Sequence, residues 1–314
     1  MLIIRQQIQT VFRRFSHVFI DEYKLSSTGI SVEEFRQRRS NLVQLVRNYL
    51  VKSQKSSKDF TVCLPSAVLQ YMGPDVVYFP FKQQADFYYL TGCLQPNAYL
   101  MLHGNERSYS PHLYLSPCSM LSIDDYQRWF GPVMTDQQQI CDLFQVDSVQ
   151  PVDQLGSINN KSQSILFYNS NNSMDQPVVT QKYFQSLLNQ FSSTSRVCGH
   201  LQHFLHALRS IKSLNEQNIL RQVCQWTCET FRQTMSIPSK SVDNEALIKA
   251  RFQYECEKNG RLSLAFYPVV AANGRSLCFF FVIRKIIPND IRLLITDQIF
   301  FIIRKIINRL HQLI

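Results

Sequence analysis

The sequence has no Cys-x-x-Cys pair, no P-loop, no Gly-x-Gly-x-x-Gly and no Gly-x-Ser-x-Gly elbow. It therefore lacks the short motifs that mark nucleoside-triphosphate, dinucleotide and serine-hydrolase sites. Its nine cysteines (63, 93, 118, 141, 198, 224, 228, 256 and 278) are scattered, with Cys224 and Cys228 four apart in a helical stretch. That usage fits free thiols in a reducing compartment rather than a disulfide framework or a zinc site. No apolar run reaches the ~18 residues of a membrane span. The nearest, "LCFFFVI" and "IFFII", are broken by Arg284–Lys285 and Arg304–Lys305. Histidine is missing between residues 207 and 310.

The formal charge is +10, but it sits at the ends. Residues 1–20 carry three Arg and no acid, and residues 273–314 carry seven basic and two acidic residues, which leaves +2 for the body. A nucleic-acid groove needs basic residues interleaved along the domain, so no nucleic-acid partner is expected. With 314 residues, 45% of them hydrophobic and 18% charged, the chain is long enough for two ordinary globular domains.

The start, "MLIIRQQIQTVFRRFSHVFI", is not a secretory signal, because Arg5 interrupts its apolar run. As a helix it places Ile4, Ile8, Val11, Phe12, Phe15, Val18 and Phe19 on one side. An acid-free, Arg-containing amphipathic start is the pattern of a mitochondrial targeting segment, and "RRFS" (13–16) is similar to a presequence cleavage site. The alternative is a surface helix on a cytoplasmic protein.

Ser31 and Glu34 form a capping box for a helix with Phe35, Leu42, Leu45, Val46 and Tyr49 at helical spacing. Between Phe60 and Leu115, the runs "FTVCL", "VVYF", "FYYL", "AYLML" and "HLYL" alternate with turn residues and predict strands. "FYYL" is expected at the centre of the sheet, with Tyr88 facing opposite to Phe87 and Tyr89. "ILFY" (165–168) is a further strand. Residues 169–195 are rich in Ser, Asn and Gln and are expected to cover a helix, "KYFQSLLNQF", before a polar connector that closes an α/β domain. A helix then ends near Lys212, and Ser213 with Glu216 caps another that offers Ile219, Val223, Trp226 and Phe231 to one face. Residues 243–258 are helical and "LAFYPVV" (264–270) is a strand.

The stretch "YFPFKQQADFYYLTGCLQPNAYLML" resembles the N-terminal, creatinase-like domain of aminopeptidase P, the Xaa-Pro aminopeptidases. The matching residues are Phe79, Pro80, Phe81, Asp86, Phe87, Tyr88, Tyr89, Leu90, Thr91, Gly92 and Pro96; Cys93 and Gln95 replace a usual Phe and Glu. "EEFRQRRSNL", "WFGP" (129–132), "RSIKSLNEQNILRQ" (209–222), "YECEKNG" and "LAFYPVVAANGRS" resemble further family segments in the family's order, from about residue 31 to Ser276. A helix over 85–93 would defeat the family assignment.

The resemblance implies an α/β fold: a mixed-sheet N-terminal domain followed by an incomplete α+β "pita-bread" catalytic domain. The implied segments are 1–30 (targeting), 31–195 (N-terminal domain), 196–276 (start of the catalytic domain) and 277–314 (a hydrophobic, basic tail outside the family). The activity implied is that of a metalloaminopeptidase with two Mn²⁺ ions. It would remove residues ahead of proline from peptide or protein N-termini, or trim processed N-termini in the mitochondrial, Xaa-Pro aminopeptidase 3-like branch. The family's five metal ligands, two Asp, one His and two Glu, fall after the point where the resemblance stops. Residues 277–314 offer only Asp290, Asp297 and His311, and the near-repeat "FFVIRKII"/"FFIIRKII" there suggests foreign coding sequence, from a frameshift or retained intron. The chain as written is thus expected to be truncated and inactive, with no catalytic and no metal residues. The other class is a non-catalytic N-terminal module that forms a homo-oligomer.

Three substrate-pocket residues follow from the resemblance. Trp129 matches a Trp that reaches a neighbouring subunit's active site in tetrameric members, the other reading being a core Trp beside Phe130. Phe266 and Tyr267 match the strand that walls the pocket. His200, His203 and His206, near Cys198, have spacing that could hold a metal, but the segment reads more simply as an amphipathic helix.

Overall fold

The computed structural model describes residues 29–55, 57–68, 81–115, 137–157, 164–169, 178–192, 195–238, 244–258, 264 and 268–270. The expected strand "VVYF", the tail and nearly all of the N-terminal segment fall outside these residues, and the four described residues of the expected strand 264–270 (264 and 268–270) are not in a strand. The chain divides into two units, one ending at Ile219 and the other beginning at Leu220.

The first unit is built on a six-stranded mixed sheet of order β4-β3-β2-β1-β5-β6. Its strands are β1 (Phe60–Pro65), β2 (Tyr99–Gly104), β3 (Tyr109–Leu115), β4 (Ser148–Pro151), β5 (Ile165–Tyr168) and β6 (Arg196–Cys198). The β1–β2 and β2–β3 pairs are antiparallel, and the β3–β4, β1–β5 and β5–β6 pairs are parallel. Every residue of β1 is buried, as expected of a central strand covered on both faces, which reads as a continuous apolar run.

Alternation along the strands sorts the side chains into two cores. Phe60, Val62, Leu64, Leu100, Leu102, Leu113 and Phe167 belong to the larger. It is completed by Leu42, Val43, Val46 and Leu50 of α1 (Val32–Lys52), Ile140 and Phe144 of α3 (Gln137–Phe144), and Leu201 and Leu205 of α5 (His200–Ser210). Cys63, Tyr99, Met101, Tyr114 and Leu166 form the second core with Val152 and Leu155 of a 3-10 turn and Phe184, Leu187 and Phe191 in and after α4 (Val178–Asn189). The result is a helix–sheet–helix sandwich.

One expectation fails. Ala85–Thr91 is a helix, α2, and not a central strand. The aromatic residues favour strands on local propensity, but the flanking residues encode a helix. The Phe87 N–H donates to Gln84 Oε1 at 2.6 Å as an N-cap, and Asp86 sits in the first turn, where a negative charge is favoured by the helix dipole. Gly92 closes the helix at φ +68°, its N–H donating to the Tyr88 carbonyl at 2.8 Å. Phe87 and Leu90, three apart, point into the larger core, while Tyr88 packs edge-on against Phe35. Gly92 is required twice, by its left-handed backbone and because a Cβ there would lie 2.7 Å from the Phe35 ring.

The second unit begins within α6 (Leu214–Met235) and includes α7 (Glu245–Glu257). Thr230 and Thr234 are the buried residues of α6, whereas Val223 and Trp226 are 44% and 41% exposed. The apolar face anticipated for this helix is thus only half covered. Glu255, buried, is paired with Arg251 and Lys258, and Phe231 packs on Phe252 with ring centroids 4.9 Å apart.

Candidate functional site

Three segments far apart in sequence, 31–38, 83–92 and 209–216, meet around one buried guanidinium. Arg38 donates to Glu34 Oε1 at 2.6 Å and to the Tyr89 carbonyl at 3.2 Å, and lies 3.2 Å from Glu216 Oε1. Its guanidinium stacks over the Tyr89 ring at 4.3 Å and the Phe35 ring at 5.2 Å. Cation–π contacts of this kind gain strength when desolvated.

Glu34 is shared. Its backbone N–H donates to Ser31 Oγ, the forward half of a capping box. Its carboxylate faces away from the cap and accepts from Ser213 Oγ at 2.6 Å and Asn215 Nδ2 at 2.9 Å. Burial alone would raise the Glu34 pKa, but those hydrogen bonds and the Arg38 charge outweigh it and hold the carboxyl below its usual range. The second capping box is complete, with Ser213 N–H to Glu216 Oε2 at 2.9 Å and Glu216 N–H to Ser213 Oγ at 3.2 Å. Beside it Arg209 meets the buried Asp86 at 2.5 Å.

The polar run before α2 is a structural tie. Gln83 Oε1 accepts from the Ala67 and Gln84 N–H groups, and its amide donates to the Cys93 and Gln95 carbonyls. Arg39, wholly buried, donates to the carbonyls of Leu90, Phe144 and Gln145 at 2.8, 3.1 and 2.8 Å. It caps the C-terminal ends of α2 and α3 at once. Such carbonyl ends carry the negative pole of the helix dipole. Neither arginine was marked as functional by sequence; a basic residue at a buried helical position three or four from a core Leu was the available signal.

This constellation is a joint. It holds charge neutralised and hydrogen-bonded, with no nucleophile and no open carboxylate pair. Elsewhere, a depression of about 460 Å³ is lined by Gln137, Cys141, Asp147, Ser148 and Gln154 among others, without convergent catalytic groups. Among the described residues, no three His, Cys, Asp or Glu side chains stand together so as to hold a metal ion. His200, His203 and His206 are exposed on α5, whose Leu201 and Leu205 face the core. Trp129, Phe266, Tyr267 and Asp297 lie outside the described residues. No helix among the described residues is long and apolar enough to cross a membrane.

The motif segments that converge on Arg38 and Asp86 belong to a domain type seen before. Residues 35–168 match the family "aminopeptidase P, N-terminal domain". The chain is 28% identical over 251 residues to the mitochondrial intermediate cleaving peptidase 55 of Arabidopsis thaliana, covering 79% of this chain and 46% of that protein. It is 27% identical to the Xaa-Pro aminopeptidase 3 of Rattus norvegicus, covering 86% and 53%. Among solved structures, proline aminopeptidase P II from Yersinia pestis superimposes with a TM-score of 0.60 at 17% identity over 76% of this chain and 52% of that one. The zinc-substituted, product-bound aminopeptidase P of E. coli gives 0.59 at the same identity and coverage. Residues 35–168, which carry β1 to β5, thus form an aminopeptidase P N-terminal domain. Beyond that domain, the chain is similar to Xaa-Pro aminopeptidases and intermediate cleaving peptidases. It spans about half the length of the curated relatives it matches. The helix at 85–91 lies inside the matched segment, so the expectation that a helix here would defeat the assignment was itself mistaken.

Proposed function

We propose that this chain supplies the N-terminal domain, and the beginning of the catalytic domain, of a mitochondrial aminopeptidase that trims peptide or protein N-termini, ahead of proline or after an earlier processing cut. The observation that carries this reading is the meeting of the family's separated motifs, 31–38, 84–92 and 209–216, in one hydrogen-bonded joint. The printed names of the relatives, intermediate cleaving peptidase and Xaa-Pro aminopeptidase, support the substrate class. The proposed division is 31–195 for the N-terminal domain, 196–276 for the start of the catalytic domain and 277–314 for a tail outside the family, with 1–30 as the targeting segment. Trp129, Phe266 and Tyr267 are proposed to border the substrate, and the domain is proposed to mediate homo-oligomer formation.

The expected metal is Mn²⁺, held as a pair by hard oxygen ligands and lowering the pKa of a bridging water. The described donor set does not fit such a pair, so no step is assigned to these residues. The 314-residue polypeptide alone is proposed to bind no Mn²⁺ pair and to cleave no Xaa-Pro peptide. Calorimetric titration with Mn²⁺, together with a proline-peptide assay on the purified chain, tests this. Stoichiometric tight binding with turnover would overturn it.

A further inference from the structure

The sheet face opposite α1 is apolar where the 3-10 turn and α4 cover it and polar beyond. At that polar end, β1, β2, β3 and β4 bring Thr61, His103, Ser110, His112 and Ser148 to one face, because Thr61 pairs with His103, His103 with Ser110 and His112 with Ser148. The two imidazoles are diagonal neighbours on antiparallel strands, with ring centroids 5.3 Å apart and planes tilted by 53°. Both are half-buried.

Each ring is fixed through the same nitrogen. His103 Nδ1 is 3.0 Å from Thr61 Oγ1, and His112 Nδ1 is 2.7 Å from Ser148 Oγ. A hydroxyl can accept from Nδ1–H, and that tautomer leaves the lone pair on Nε2. This is the outer-sphere arrangement that orients histidine toward a metal. Neither Nε2 has a hydrogen-bond partner among the described residues.

The spacing can be compared with that of a bis-histidine chelate. With a metal–nitrogen distance of ~2.05 Å, a metal on the lone-pair axis lies ~3.2 Å from each ring centroid, and two such rings at a tetrahedral angle have centroids ~5.2 Å apart. The observed 5.3 Å matches that separation. Burial keeps both imidazoles neutral at neutral pH, the form that binds metals, and the Asp147 carboxylate acts on His112 in the sense that favours a nearby cation.

We propose that His103 and His112 form a cross-strand chelate for one late first-row divalent ion, of the class of Zn²⁺, Ni²⁺ or Cu²⁺, with water completing the coordination. Imidazole suits these ions and not Mn²⁺ or Mg²⁺, which prefer oxygen. The effect of the ion is to clip β2 to β3.

The test uses the whole 314-residue chain and ZnCl₂ as probe, with MgCl₂ as control. Calorimetry should show one zinc bound per chain, weakened at least tenfold by His103→Gln or His112→Gln. His203→Gln, which alters the exposed triplet on α5, should leave that affinity unchanged. Zinc should also move the ring signals of His103 and His112 in the NMR spectrum of the unsubstituted chain, which identifies the ligands even if a substituted chain does not fold. No binding at millimolar zinc, an affinity unchanged by His103→Gln and His112→Gln, or ring signals that move only for His200, His203 or His206 would overturn the proposal.

Discussion

Arg39 offers the sharpest test of how the N-terminal unit is held together. Its side chain is fully buried and serves three carbonyls from two helix ends. Replacement by Leu keeps much of the volume and removes every donor. A hydrogen bond to a charged group contributes ~1.5–3 kcal/mol, and a buried carbonyl left without a donor costs ~1–3 kcal/mol. Against this, the variant no longer desolvates a guanidinium, a cost of several kcal/mol. Three buried carbonyls left without a donor outweigh that recovery, so Arg39→Leu should destabilise by ~3–5 kcal/mol. That is a large share of the ~5–15 kcal/mol stability of a typical domain. Arg39→Lys keeps the charge but presents one ammonium in place of a planar fork, and should lose somewhat less. Urea unfolding of the 314-residue chain, followed by circular dichroism, measures both. A loss under ~1 kcal/mol for Arg39→Leu would refute the argument, because it would mean that water or local relaxation satisfies those carbonyls without the guanidinium.

Other outcomes follow from the same geometry. Gly92→Ala should cost ~2–4 kcal/mol in urea unfolding, since a left-handed backbone strains any L side chain and the Phe35 ring must move. Burial, aided by the neighbouring His112, pushes His103 down to about 4. The unfolded chain therefore binds more protons between about pH 6.5 and pH 4, and stability must fall as pH falls through that window. Unfolding between pH 7 and 4.5 should show a contribution of ~2–3 kcal/mol from this group that is absent in His103→Gln. Fusing residues 1–30 to a reporter should send it to mitochondria, and a reporter that stays in the cytosol would count decisively against the targeting assignment.

Much was legible from local pattern alone. Ser31 and Glu34 announce the start of α1, Ser213 and Glu216 that of α6, and "ILFY" is β5 residue for residue, because caps and short β-branched or aromatic runs act over a few positions. The order of the motifs pointed to the aminopeptidase P resemblance, and residues 35–168 match that family's N-terminal domain. What the pattern misjudged is α2. Tyr88, Tyr89 and Phe87 read as strand by propensity, yet Gln84 and Gly92 on either side impose the caps of a helix, and the core accepts Phe87 and Leu90 at helical spacing. Tertiary structure alone decided the roles of the charges. Glu34 looks like half of a capping box in sequence, but its carboxylate serves Arg38, Ser213 and Asn215, up to 181 residues away. Arg39 looks like surface charge until the ends of α2 and α3 close over it, and His103 and His112 become a pair only through the register of β2 on β3. Such contacts depend on which segments the fold brings within hydrogen-bonding reach, and no spacing along the chain encodes that distance.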